Sequence, residues 1–221
     1  MNIPASLFPV YWHFVALLLS IGILLWSLWR VEWAKVIASG QIHQVLGSAV
    51  VLMLVWSMKA GAHPGLNLHL LGAMAVMLIL GLPLAAIAFA IALTGISYNG
   101  AIEWEAWPVN YVFMVFFPLC IAMSLAHLVR RLLPAHIFVF IFATAFIGSG
   151  ATVVFEGVIT CTALILSGAY TARFLTTEYL PFFVLLGFAE AWISGAVVTL
   201  LIVFKPDWVS GFDDRVYLLK K

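Results

Sequence analysis

The stretch GLNLHLLGAMAVMLILGLPL, residues 65–84, decides how the rest of the chain is read. It opens on a polar pair, Asn67 and His69, runs into the apolar segment 73–80, and breaks at Gly81-Leu82-Pro83. A bilayer-crossing helix needs about 20 apolar residues, so the segment is too short to cross comfortably, and a second short one starts after the break. Interrupted segments of this kind line sites in membrane transport proteins. His69 is therefore the first candidate ligand, in a pocket facing one side of a membrane.

Outward from this stretch the composition points the same way. Of 221 residues, 65% are hydrophobic and 9% charged, too few charges to solvate a globular surface. The chain reads as one transmembrane domain, 1–221, with a lead at 1–10, a tail at 205–221 and no sizeable soluble domain. Any energy source must then come from a partner or a gradient. A net charge of +1 gives no reason to expect nucleic acid. Cys120 and Cys161 lie in apolar segments without CxxC spacing and read as small buried hydrophobes. No basic residue precedes the first apolar run, which reads as an uncleaved span.

Taken in order, the expected spans are 11–29, 42–58, the short pair 66–80 and 84–97, 108–128 with a kink at Pro118, 134–168, and 178–204. A short interfacial helix or turn is expected at 31–39. Residues 134–168 are apolar but interrupted by Gly148-Ser149-Gly150, so one long broken helix or two short ones fit. Basic residues near span ends favour the cytoplasmic side. Seven spans with the N-terminus outside put Arg30, Lys35, Arg130, Arg131, Lys205, Arg215, Lys220 and Lys221 inside, leaving Lys59 and Arg173 outside. That asymmetry selects one broken helix over two. The expected architecture is an all-α integral membrane protein, a bundle of about seven transmembrane helices with short or broken third, fourth and sixth segments. The N-terminus, His63, His69 and the acidic loop at Glu103 and Glu105 then share the outer face.

Glu156 and Glu190 sit well inside apolar segments, where a charged carboxylate costs at least ~2.5 kcal/mol. Each is expected to be neutral or paired, bonded to the hydroxyl one turn on, Thr160 or Ser194, or else to serve as a proton-linked carboxyl lining the bundle. Gly187, Ala191 and Gly195 form a small-residue stripe that suits close helix contact within the chain, or docking of a partner membrane subunit. His13, His43, His127 and His136 fall near span ends and suit the headgroup layer; His63 is in a loop. An imidazole binds late first-row metals but also caps helices and bonds carbonyls. One histidine makes no metal site, and the second donor set nearest to hand is the N-terminal amine with its backbone amide nitrogens. No P-loop, nucleotide fingerprint, HExxH or Ser/His/Asp arrangement is present, so an enzyme is not expected.

Leu68-His69-Leu70-Leu71-Gly72-Ala73, followed by an apolar run into Gly81-Leu82-Pro83-Leu84-Ala85, resembles the His-Leu through Leu-Gly-Pro pattern of the CbiM-type cobalt/nickel substrate-binding permeases of energy-coupling-factor transporters. The opening Met1-Asn2-Ile3-Pro4 is similar to that family's Met-His-Ile-Pro, Asn110, Met114 and Pro118 match its next block, and Glu190 with the small residues after it resembles its last helix. The tail 206–218 looks like that of a proteobacterial branch. The resemblance implies a metal held by the N-terminal amine, by the amide and imidazole of a histidine at position two, and by the histidine of the His-Leu block. Here these fall on Met1, Asn2 and His69. Asn2 is the departure, because a carboxamide is a much poorer ligand than imidazole; His63 is the candidate for the missing donor. Asn67 and Asn110 are the remaining polar candidates of the pocket.

The expectation is thus uptake of a divalent transition metal, nickel or cobalt before copper or zinc. The chain would be the capture subunit, partnered by an energy-coupling transmembrane subunit and ATPase subunits in a bacterial cytoplasmic membrane. A non-transporting metalloprotein or sensor on the same scaffold, and a structural subunit of a larger membrane complex, are the alternatives.

Overall fold

A computed structural model describes residues 2–63 and 66–217, with the side chains of Ala62 and His63 outside that description. Helix α1, Val10–Arg30, follows Pro9, and a short helix α2, Trp33–Ala38, leads into α3, Gln41–Ser57. Two strands, β1 Ala60–His63 and β2 Leu66–Leu68, precede α4, Ala73–Leu80, and α5, Leu82–Tyr98. The remaining helices are α6 Trp107–Asn110, α7 Phe117–Leu132, α8 Gly148–Leu166, α9 Ala172–Glu178, α10 Leu180–Phe204 and α11 Asp214–Tyr217. π-Helical turns at 111–116 join α6 to α7, and others at 139–147 lead into α8.

Among the described residues four helical runs are long and apolar enough to cross a membrane: Val10–Arg30, Trp104–Leu132, Val139–Leu166 and Ala172–Phe204. Gln41–Ser57 and Leu82–Tyr98 are shorter apolar helices. The outer surface suits hydrocarbon rather than water. On α1, Phe14, Leu18 and Leu25 are 62%, 56% and 61% exposed, whereas the small residues Ala16, Ser20 and Ser27 face inward. The fold is that of a multi-pass, helical membrane protein.

Two expectations need correction, the helical reading of 66–72 and the break at 148–150. Residues 66–72 are not helical: β2 pairs antiparallel with β1, Ala60 opposite Leu68 and Gly61 opposite Asn67. The alternation Leu66-Asn67-Leu68-His69-Leu70 is the period of a strand, not of a helix. Helix starts only after Gly72, whose φ of +74° is a left-handed conformation that favours glycine. The fourth segment is short but unbroken, since α5 runs continuously from Leu82. The break expected at Gly148-Ser149-Gly150 is absent as well, and helical turns run through it. These glycines serve close approach instead. A Cβ on Gly150 would lie 2.9 Å from the Gly187 carbonyl oxygen of α10, and one on Gly148 would meet the Met74 side chain at 2.7 Å. Around Pro118, which has no N–H to give, the chain uses the π-helical turns just before it.

Helix α4 is the centre of the bundle, and every residue of it is buried. It ends at Gly81, where φ is +75°. The tail then folds back beneath it: Ser210 N–H donates to Ile79 O at 3.2 Å and Gly211 N–H to Leu78 O at 2.9 Å. Phe212 and Tyr217 close on Phe140 with ring centroids 5.2 and 5.0 Å away.

Candidate metal pocket

At the other end of α4 the His69 loop is built from several elements. The ring of His69, 3% exposed, packs 5.4 Å from the fully buried Trp56 of α3, which packs in turn on Phe89 of α5. Trp56 Nε1 donates to Leu71 O at 3.4 Å. His69 Nδ1 lies 2.9 Å from Leu70 O. A carbonyl can only accept, so Nδ1 carries a proton, and Nε2 is the ring nitrogen suited to bind a metal.

Glu190 of α10 fixes the same loop from below. Its two carboxylate oxygens accept from Leu71 N–H at 2.8 Å and Gly72 N–H at 2.7 Å, and Ser194 Oγ donates to Oε1 at 3.0 Å. The two amides sit where α4 begins, so they are donors that the helix itself cannot satisfy. One carboxylate therefore both caps α4 and sets the position of the residues next to His69. Glu156 differs. Thr160 Oγ1 donates to its Oε1 at 3.0 Å, while its buried Oε2 has no hydrogen-bond partner among the described residues.

The N-terminal segment is held by the loop and turn at 101–110. Asn110, fully buried, pairs with Ile3 on both backbone groups: Ile3 N–H donates to Oδ1 at 2.8 Å and Nδ2 donates to Ile3 O at 2.8 Å. Its amide also donates to the carbonyl of Ala106, the residue just before α6, at 2.9 Å. Glu103 accepts from Ala5 N–H at 3.0 Å, and His13 bridges Ala5 O and Glu105 O at 3.0 Å each. Asn2 is buried; Nδ2 donates to Ala101 O at 3.3 Å, and Oδ1 has no partner among the described residues.

Helix α5 contacts elements of both halves. Phe89 supports Trp56 and His69, and Ala86, three residues earlier, accepts from the Tyr111 hydroxyl beside Asn110 at 3.2 Å. Met1 and the His63 side chain lie outside the described residues. Asn67 stands opposite Gly61 in the hairpin, at its partly exposed edge. No group of three or more His, Cys, Asp or Glu side chains converges among the described residues. The reach of Glu190 to residues 71 and 72, and of Asn110 to Ile3, was not foreseeable from spacing, since each contact joins residues more than 100 positions apart.

The stripe on α10 is occupied within the chain. Gly187 abuts the Gly150 backbone, Ala191 lies near Gly150, and a Cβ on Gly195 would strike the Phe146 ring at 2.1 Å.

Solved structures share this fold, among them two of transition metal transporters. A crystal structure of a transition metal transporter aligns over 91% of this chain and 92% of its own, with a TM-score of 0.76 and 18% identity. A truncated transition metal transporter aligns over 92% and 99%, with a TM-score of 0.74 and 18% identity. No curated protein matches the chain. The model of the CbiM family, described as a cobalt uptake substrate-specific transmembrane region, matches residues 2–208. With nearly its whole length matched, the chain belongs to the CbiM family of metal-uptake membrane proteins.

Proposed function

We propose that this protein is the metal-capturing membrane subunit of an energy-coupling-factor type uptake system, with a late first-row divalent ion, cobalt or nickel, as cargo. The donors are Nε2 of His69, the amine of Met1 and the backbone amide nitrogen of Asn2, with His63 as the further candidate. The observation that carries this reading is the double anchoring described above. Glu190 fixes the His69 loop and Asn110 fixes the residue after Asn2. Rigid positioning of donors by a second layer of hydrogen bonds is what a selective metal site needs. Asn2 offers no imidazole, so the donor set is weaker toward nickel than one with histidine at position two. The positive-inside asymmetry supports an outward-facing pocket and an inward-facing tail. ATPase and coupling subunits supply the energy for uptake.

The test is elemental mass spectrometry on the protein purified in detergent after growth with cobalt and nickel, beside His69→Ala and Asn2→His. Bound metal lost in His69→Ala and raised at least about 10-fold in affinity by Asn2→His, as expected of an added imidazole ligand, supports the reading. Equal metal content in all three overturns it. Metal binding without flux in cells holding all partner subunits would favour the non-transporting metalloprotein. The reading as a structural subunit loses its docking face, because Gly187 and Gly195 are already packed against Gly150 and Phe146.

A further inference from the structure

The far end of α4 holds a second set of metal-binding side chains that the His69 pocket does not use. Below the turn at Gly81 lies a cavity of about 210 Å³, lined among others by Met77, Gly81, Met123, His127, Arg130 and Gly211. Three elements wall it: the last turn of α4, the face of α7 that repeats at 123, 127 and 130, and the returning tail. Helix α4 has 8 residues, so at 1.5 Å per residue the cavity sits about 12 Å from the His69 end.

Methionine in a packed core is ordinarily a gap filler. Here two methionines and a histidine open on one cavity instead of closing it. His127 Nδ1 is 2.8 Å from Met123 O, an acceptor only, so Nδ1 donates there and Nε2 is the nitrogen left to offer a lone pair to a metal. Nε2 has no partner among the described residues. The carbonyls that end α4 are no competing ligands: Leu78 O and Ile79 O are taken by Gly211 and Ser210 N–H. No carboxylate lines the cavity, and its one charged group, Arg130, donates to Gly211 O at 3.4 Å. A hard divalent cation would meet a positive charge and no oxygen anion. Thioethers with an imidazole select soft ions, above all Cu(I), and a single positive charge is opposed least by Arg130.

We propose that this cavity is a second metal site, which takes a soft monovalent ion of the Cu(I) class through the thioethers of Met77 and Met123 and Nε2 of His127. It is independent of the His69 pocket, at the opposite end of the same buried helix. Silver(I) is a suitable probe because it shares this ligand preference and resists oxidation.

The experiment is an NMR titration of the full chain in detergent, labelled with methyl-13C methionine, with Ag(I) added to three equivalents to allow for Cys120 and Cys161. Met77→Leu and Met123→Leu assign the two methyl signals. The expected result is a joint shift of both signals within three equivalents, weakened at least 10-fold in apparent affinity by His127→Gln and unchanged by His69→Ala. His127 is exposed, so its substitution does not threaten folding. Two signals that stay in place through three equivalents, or that respond equally in His127→Gln, would overturn the proposal. Failure of the His69 pocket to bind cobalt or nickel would leave this result untouched.

Discussion

Glu156 and Glu190 look alike in the sequence, each an acid in an apolar run with a hydroxyl one turn on. Their surroundings differ in a way that separate substitutions will reveal. In Glu190→Gln the amide nitrogen must face either Leu71 N–H or Gly72 N–H, leaving one buried donor without an acceptor at a cost of about 1–3 kcal/mol. The variant should unfold at lower denaturant in detergent and lose metal retained through His69 while still folded; unchanged stability would show that the carboxylate does not hold the loop. Glu156→Gln should do the reverse of harm. Thr160 keeps its acceptor, and the atom replaced is the one with no donor among the described residues, so stability should stay within about 0.5 kcal/mol of the parent. Asn110→Ala removes partners from both backbone groups of Ile3. Its signature is faster hydrogen exchange at the Ile3 amide, a readout that a general loss of stability would spread over the whole bundle.

At the scale of elements, α8 and α10 approach closely where the backbones of Gly150 and Gly187 meet. A Cβ on Gly187 would lie 2.9 Å from Gly150 O, whereas one on Gly22 of α1 would meet nothing within 4 Å. Gly187→Leu should therefore separate the helices and lower the unfolding midpoint sharply, by several kcal/mol in free energy. Gly22→Ala should be neutral or stabilise by up to about 1 kcal/mol through helix propensity. Equal effects of the two in thermal unfolding would contradict the packing described here. The glycines at 148–150 illustrate why such elements resist reading from sequence. A Gly-Ser-Gly run signals a break in isolation, yet here the close approach of Gly187 uses the space at Gly150 and the run stays helical, with the Ser149 and Thr152 hydroxyls satisfied on Ala145 O and Gly148 O.

For the whole molecule the organising object is α4, capped by Glu190 at one end and by the tail at the other. Neither cap is local, and together they hold a helix of 8 residues that would be marginal by itself. Truncation after Lys205 should free Leu78 O and Ile79 O and strip Phe212 and Tyr217 from Phe140. Two backbone hydrogen bonds at about 0.5–1.5 kcal/mol each set the minimum expected loss. Hydrogen exchange should rise in α4 and its flanks before the rest of the bundle; uniform exchange across all helices would refute the capping role.

The sequence by itself determined the solvent, the class and the family. Hydrophobic runs on the scale of a bilayer, with few charges and only Glu156 and Glu190 deep inside them, point to a helical membrane protein, and the His69 block with the Gly81 break marked both the family and the short central helix. The alternation from Leu66 to Leu70 also carried the strand signal, overridden by the apolar run that follows it. Only the tertiary structure decided which polar groups meet. Inside a membrane a backbone amide or carboxylate must find a partner wherever the fold brings one, and spacing along the chain says nothing of that distance. Hence Glu190 at the start of α4, Asn110 on Ile3 and the tail beneath Gly81 became visible only once the helices were packed.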